Sequence, residues 1–348
     1  MIQNPYFEIK DRKIGIDFQP VVFAELGINH GGSLDLAKLM VDAAFEAGVE
    51  IIKHQTHIVE DEMTKEARKI VPGHTKESIY EIMKQCALGE ADEYALKQYV
   101  ESKNMIFIST PFSRAAANRL REMNIPAYKI GSGECNNYPL IKHIASFKKP
   151  VILSTGMNSI ESIKPSVKIL RDNKVPFALL HCTNIYPTPP NLIRLNAIRQ
   201  LKEEFPDAVL GLSDHSLTIY PALASIVLGA SILERHFTDT KDRIGPDIEC
   251  SMDKFECRQL IEASKIVFMA RDGQKGPVSE EKSTIDFAFA CVVTIKAIKK
   301  GDIYTTENIW VKRPGNGEIK AANYDSILGR TASKDIDIDE QLKWNEIN

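Results

Sequence analysis

The chain has 348 residues, 43% of them hydrophobic and 26% charged. That composition excludes low-complexity disorder and collagen and points to a globular protein with one large and one small domain. The 44 Lys and Arg against 47 Asp and Glu give a formal net charge of −3, so no global field favours nucleic acid or an anionic membrane.

The opening segment, MIQNPYFEIKDRKIGID, lacks the apolar core of a secretory signal. The longest apolar-rich stretch, residues 220–233, is too short and too rich in small residues to span a bilayer. The six cysteines, at 86, 135, 182, 250, 257 and 291, include no CxxC pair. These features predict a cytoplasmic protein with reduced thiols and no zinc-thiolate centre.

Between residues 20 and 240 short apolar runs alternate with helical patterns. The runs are VVFAEL (21–26), EIIKHQ (50–55), MIFIST (105–110), AYKIGS (127–132), VILST (151–155), FALLHC (177–182), AVLGLSD (208–214) and SILERHF (231–237). Near-continuous hydrophobic runs suit parallel strands buried on both faces. Ser33 precedes a helical pattern closed by Gly48, Ser159 precedes another, and Asp253 opens the last. Eight β-α units predict a (β/α)8 TIM barrel over residues 1–270. The runner-up, a doubly wound open sheet, wants a GxGxxG turn after the first strand, where this chain has GINHGGS. The connection 56–91 is long and should wall or cover the active-site face. Residues 271–285 read as a polar linker, and 286–348 as a small β-rich domain with strand-like pieces ACVVTIKAI, NIWVKRP and TASKDIDI.

Barrel chemistry sits at the C-terminal strand ends. Those ends carry Glu25 followed by Asn29 and His30, then Lys53, His54 and Gln55, Ser109 and Thr110, Lys129, Ser132 and Glu134, Ser154 and Thr155, His181, Asn184 and Tyr186, Ser213, Asp214 and His215, and Glu234 and His236. Buried unpaired, such groups cost roughly 1–3 kcal/mol each. Two lysines with several hydroxyls and an asparagine point to a phosphate or carboxylate site. His215 and His236, with carboxylates beside them, make an incomplete N/O metal site suited to Mn2+, Zn2+ or a related ion. Ser33 and Ser159 are helix caps. His54, His57 and His143 are expected to be structural, and Cys135 and Cys182 to be small core hydrophobes.

The strings AELGINHGGSLDLA, IIKHQTHIVEDEM, FISTPFS, YKIGSGECNNYPLI, ILSTGMNSIESI, LLHCTNIYPTP, GLSDHS, SILERHFTD and GPDIECSM closely resemble the bacterial sialic acid synthases. DFAF, IKKGD and WVKRPGNG resemble their C-terminal antifreeze-like (SAF) domain. The resemblance implies condensation of phosphoenolpyruvate with N-acetylmannosamine and water, giving N-acetylneuraminate and phosphate. It implies a divalent metal, usually Mn2+, with Mg2+ or Co2+ as substitutes. It also implies a homodimer in which the antifreeze-like domain of one chain caps the barrel of the other.

Residue by residue, Lys53, Thr110, Lys129, Ser132, Ser154, Asn184 and Ser213 match the phosphoenolpyruvate positions, and His215 and His236 the metal ligands. Glu25, Glu134, Tyr186 and Asp247 match positions that hold the amino sugar. Phe287 and Arg313 match tail positions that reach the partner's sugar. Glu234 and Glu25 are candidates for the catalytic carboxylate. One departure stands in the long loop, where the family's turn has a sugar-contacting asparagine and this chain has His74. A sister synthase making legionaminic or a related acid from a modified hexosamine is therefore the alternative. A Schiff-base aldolase on Lys53 or Lys129 is a rival chemistry for the same fold.

Overall fold

The computed structural model describes residues 4–71 and 77–348. The chain divides into two compact units, Met1–Asp272 and Gly273–Asn348. In the first, strands β1 (Tyr6–Ile9) and β2 (Arg12–Gly15) form an antiparallel hairpin that the sequence patterns do not announce. Eight parallel strands follow: β3 (Val21–Gly27), β4 (Ile51–Thr56), β5 (Ile106–Pro111), β6 (Tyr128–Ile130), β7 (Val151–Ser154), β8 (Phe177–Cys182), β9 (Val209–Asp214) and β10 (Ile232–His236). They close in the order β10-β3-β4-β5-β6-β7-β8-β9. This is the expected TIM barrel, and closure through the β10–β3 pair rules out the open doubly wound sheet.

Alternation along each strand separates two rows of side chains. Val22, Ala24, Ile52, Phe107, Leu153, Leu179, Leu210, Leu212 and Leu233 belong to one cluster, which packs against the surrounding helices. Val21, Phe23, Ile51, Ile108, Ile152, Leu180, Val209 and Ile232 belong to another, filling the barrel interior together with Phe7, Ile9 and Ile14 of the hairpin. The hairpin thus supplies apolar side chains to the N-terminal end of the barrel, where each strand begins. Stepping two residues along each strand from that inward layer reaches Glu25, Lys53, Thr110, Ser154, Cys182 and Glu234. The interior is apolar at one end and polar at the other.

The helix signals work as the local chemistry predicts. Ser33 accepts from the Leu36 N–H, and Gly48 closes Leu34–Ala47 in a left-handed conformation at φ 88°. Ser159 caps Ile160–Asp172, and Asp253 with Glu256 forms a capping box on Lys254–Ala270. The long connection after β4 contains a helical turn at Val59–Glu62, a 3-10 segment at Lys65–Lys69 and a helix at Ile79–Cys86. All six cysteines are free thiols. Among the described residues no helix is long and apolar enough to cross a membrane.

The second unit pairs β11 (Cys291–Thr294) with β12 (Ile309–Lys312) in antiparallel register, around a core that includes Val292, Tyr304, Ile309, Ile319 and Leu342. Two expectations need correction. TASKDIDI is not a strand: Thr331, Ala332 and Ile336 make isolated bridges to Ile303, Ile347 and Ile298, because the chain turns too often to run a ladder. The second is one of detail: the segment 271–285, read as a polar linker, contains a 3-10 turn at Ser279–Glu281 and the start of a helix at Lys282–Ala288.

Candidate active site

The C-terminal strand ends enclose a cavity of about 210 Å3. Glu25, Lys53, Thr110, Lys129, Ser132, Glu134, Ser154, Asn184, Tyr186, Ser213, His215, Glu234 and His236 all line it. At its floor two ammonium groups meet two carboxylates. Lys53 forms an ion pair with Glu25, and its Nζ lies 3.5 Å from Glu234 Oε1. Lys129 Nζ also lies 3.5 Å from Glu234 Oε1 and donates to Ser154 Oγ at 2.7 Å. Lys53 donates to Thr110 Oγ1 at 3.3 Å, and Ser213 donates to Glu234 Oε1 at 3.1 Å.

All four charged side chains are nearly inaccessible, so each is tolerable only because the others are present. Burial pulls the Lys53 ammonium to about 7; Glu234 opposes that shift and Lys129 adds to it. Burial also works to raise Glu234, but Lys129 and Lys53 overcome it and hold the carboxylate ionised. An incoming anion can take over the lysines and leave Glu234 freer to act as a base.

A second carboxyl behaves in the opposite way. Glu134 sits on the 3-10 turn Ser132–Glu134, its Oε2 buried without a hydrogen-bond partner. Burial, reinforced by Glu62, raises it to about 7. Near neutrality it can both give and take a proton.

The two histidines stand side by side, with ring centroids 5.4 Å apart. His215 Nδ1 meets the Thr183 carbonyl at 3.0 Å, so that in the neutral ring Nδ1 carries the proton and the Nε2 lone pair is free. Burial lowers His236 and favours its neutral form; Nδ1 has no hydrogen-bond partner, with Asp247 Oδ2 3.8 Å away. Neutral imidazoles with free lone pairs fit a divalent cation. Among the described residues no group of three or more His, Cys, Asp or Glu could hold a metal. An ion here would have two imidazoles from the chain and its remaining positions open to substrate oxygens and water. The Tyr186 ring covers this pair, 4.1 Å from His215 between centroids.

Asp247 lies in the loop after β10, half-buried, and its carbonyl accepts from Ser251 Oγ at 2.7 Å. Phe287 and Arg313 are exposed on the second unit. His74 falls outside the described residues.

The structure adds groups that the sequence reading left without a role. Gln55 lines the cavity and donates to Glu25 Oε1 at 2.9 Å. His57, read from sequence as structural, steadies that amide: its Nε2 is 3.1 Å from Gln55 Oε1 and its Nδ1 2.8 Å from Glu62. Cys182 is not simply core, because it lines the cavity with Sγ 3.9 Å from His215 Nδ1. The signal for Gln55 and Cys182 was available, since strand alternation places both on the inward row with Lys53 and Leu180. Gly156 has no side chain for a steric reason: an added Cβ would lie 1.9 Å from Asn184 Oδ1 and 2.9 Å from Ser132 Oγ.

The NeuB family model matches residues 40–275 and the SAF domain model residues 289–348. An uncharacterized protein of Methanocaldococcus jannaschii is 37% identical over 98% of both chains. The N,N'-diacetyllegionaminic acid synthase of Campylobacter jejuni is 34% identical over 93% of this chain and 98% of its own. Among solved structures, the N-acetylneuraminic acid synthetase of Leptospira borgpetersenii, crystallised with citrate, superposes with a TM-score of 0.74. It is 30% identical, covering 81% of this chain and 95% of the other.

Two outcomes test this geometry. Gly156→Ala should displace Asn184 and Ser132. Overpacking of this kind costs about 1–3 kcal/mol, so the thermal midpoint of the chain, followed by calorimetry, should fall by several degrees or more. Glu134 keeps its proton in the folded protein at pH values where the unfolded chain, titrating near 4.5, has lost it. Its contribution to stability is therefore complete below about 4.5 and is lost as pH rises through about 7. Glu134→Gln should remove that part of the decline in thermal midpoint, and an unaltered slope across the window would show that Glu134 is ionised throughout.

Proposed function

Because the chain belongs to the NeuB family and carries a C-terminal SAF domain, we propose that it condenses phosphoenolpyruvate with an N-acyl hexosamine and water, releasing a nonulosonic acid and phosphate. The first candidate for the sugar is N-acetylmannosamine, giving N-acetylneuraminate. The alternative is a modified hexosamine leading to legionaminic acid, a reading that the similarity to the Campylobacter jejuni synthase supports as well as the Leptospira borgpetersenii synthetase supports the first.

The observation that carries the proposal is the charge cluster at the cavity floor, where two buried lysines and three hydroxyls, those of Thr110, Ser154 and Ser213, converge with Glu25 and Glu234. A dianionic phosphate with a carboxylate is the ligand such a floor accommodates. Lys53, Lys129, Thr110, Ser132, Ser154, Asn184 and Ser213 would hold its two ends. Enolpyruvate carbon three then faces the sugar's aldehyde carbon. A divalent cation on His215 and His236, with Mn2+ the first candidate, would supply Lewis acidity at the aldehyde oxygen. Glu134 can deliver a proton to that oxygen. Attack leaves positive charge at enolpyruvate carbon two, which Glu25 and Glu234 offset, and one of them takes a proton from the water that adds there. The resulting tetrahedral carbon expels phosphate by C–O cleavage.

Tyr186, Asp247 and His74 are proposed to hold the sugar with Glu25 and Glu134. The proposal includes a homodimer in which the SAF unit of one chain covers the barrel of the other, bringing Phe287 and Arg313 to the sugar.

A panel of N-acetylmannosamine, its 6-phosphate and 2,4-diacetamido hexoses tests the reading. One member should release phosphate from phosphoenolpyruvate and yield a product whose mass is the sum of sugar and pyruvate. Chelation should abolish that release and Mn2+ restore it; undiminished turnover in a chelated sample would refute the metal. Lys53→Ala and Lys129→Ala each lose charge-assisted bonds worth ~1.5–3 kcal/mol, so KM for phosphoenolpyruvate should rise ten- to a hundredfold, roughly, and KM for the sugar much less. Trapping of a pyruvate adduct on either lysine by borohydride would instead favour the aldolase.

A further inference from the structure

The outward row of the barrel strands is apolar where it meets the helices. On β9 it runs Leu210, Leu212, and on β10 it passes through Leu233. Both rows end on a charge. Asp214 and Arg235 are direct cross-strand partners, with side chains only 1% and 3% exposed. Each stands between two inward residues of the site: Asp214 between Ser213 and His215, Arg235 between Glu234 and His236.

The pair is tied into more than the strands. Arg235 forms an ion pair with Asp214 and donates to the Thr218 carbonyl, to the Ser216 carbonyl at 2.6 Å and to Ser216 Oγ at 3.3 Å. Asp214 in turn accepts from the Ser216 N–H at 2.9 Å and from Ser216 Oγ at 3.1 Å. His215 is therefore held at both chain neighbours by one guanidinium, whose own chain neighbour is His236. A buried ion pair is a poor way to gain stability, since an apolar pair of similar volume usually does as well or better. Its distinctive property is fixed geometry: the guanidinium donates to a carboxylate, two carbonyls and a hydroxyl from one rigid plane, where an ammonium has three donors on a flexible stem.

We propose that the Arg235–Asp214 pair is a positioning device for the two histidines, setting the separation of the imidazoles and with it the affinity for a divalent cation. The inference rests on the reading of His215 and His236 as metal ligands, and it assigns Arg235, Asp214 and Ser216 a role behind them.

The test is Mn2+ binding to the full-length purified chain, followed by the loss of the free-ion electron paramagnetic resonance signal, with no substrate present. Asp214→Asn keeps the shape and the acceptor for Ser216 but removes the charge. Arg235→Lys keeps the charge but removes the fork. Both should weaken Mn2+ on the order of ten- to a hundredfold, as loss of a supporting partner typically does. Circular dichroism and a cooperative melt confirm that the variants are folded. Should either of these variants unfold, Ser216→Ala removes only the shared hydroxyl and should still weaken Mn2+ severalfold. Folded variants that bind Mn2+ within about twofold of the wild type would overturn the positioning role alone. A wild-type chain that takes up no Mn2+ would overturn the ligand reading and this inference with it.

Discussion

Two ammonium groups in the mouth of a β-barrel cannot be buried without two carboxylates buried beside them. The cluster of Lys53, Lys129, Glu25 and Glu234 satisfies that condition within the chain itself. An uncompensated charge at this depth would cost several kcal/mol, so the four residues stand or fall together. The constraint propagates outward. Glu25 is oriented by Gln55, Gln55 by His57, and His57 by Glu62 at the start of the long connection. Glu234 is oriented by Ser213 from the adjacent strand. Removing one member therefore loosens several strand ends rather than one contact. The lysines also make the floor receptive to anions: a phosphate that pairs with them takes the cations from Glu234, whose buried carboxylate is then driven to take up a proton.

Much of this was legible in the sequence because barrel strands obey a simple parity. All eight apolar runs are strands, since a segment buried on both faces has to be apolar almost throughout and stands out from amphipathic helices. Many of the polar residues that interrupt those runs near their ends line the cavity, whereas His54, Ser109, Thr155, His181 and Asp214 do not. Hairpin β1–β2 escaped because four-residue strands of mixed polarity, YFEI and RKIG, carry no run long enough to register. The third strand-like piece of the tail was misread for a related reason. TASKDIDI alternates as a strand does, but alternation describes which residues face a core and not whether a partner strand runs alongside.

Side-chain roles were legible only where charge made them expensive. Lys53 and Lys129 demanded an explanation, whereas Gln55 and Cys182 did not, although strand parity places them on the same wall. Arg235 shows the converse. Its neighbours Glu234 and His236 draw attention as inward groups, and a residue between them should face the helices and be apolar. Only the register pairing Arg235 with Asp214 reveals why a charge survives there. Parity tells which face a residue occupies; the partner across the ladder decides what it does.

The division of labour between strands and loops bears on specificity. The lysines, hydroxyls and histidines proposed to handle phosphoenolpyruvate and metal sit on strand ends or within a few residues of them, on backbone fixed by the barrel ladder. Apart from Glu25 on β3, the groups proposed for the sugar sit elsewhere: Glu134 on a 3-10 turn, Tyr186 and Asp247 in connecting loops, His74 in the long connection, Phe287 and Arg313 in the second unit. Loops can change length and composition without disturbing the ladder. A chain built this way can keep one reaction at its floor while the rim adapts to different acylamino sugars. That arrangement fits similarity at about the same identity to proteins named for legionaminic acid and for N-acetylneuraminic acid.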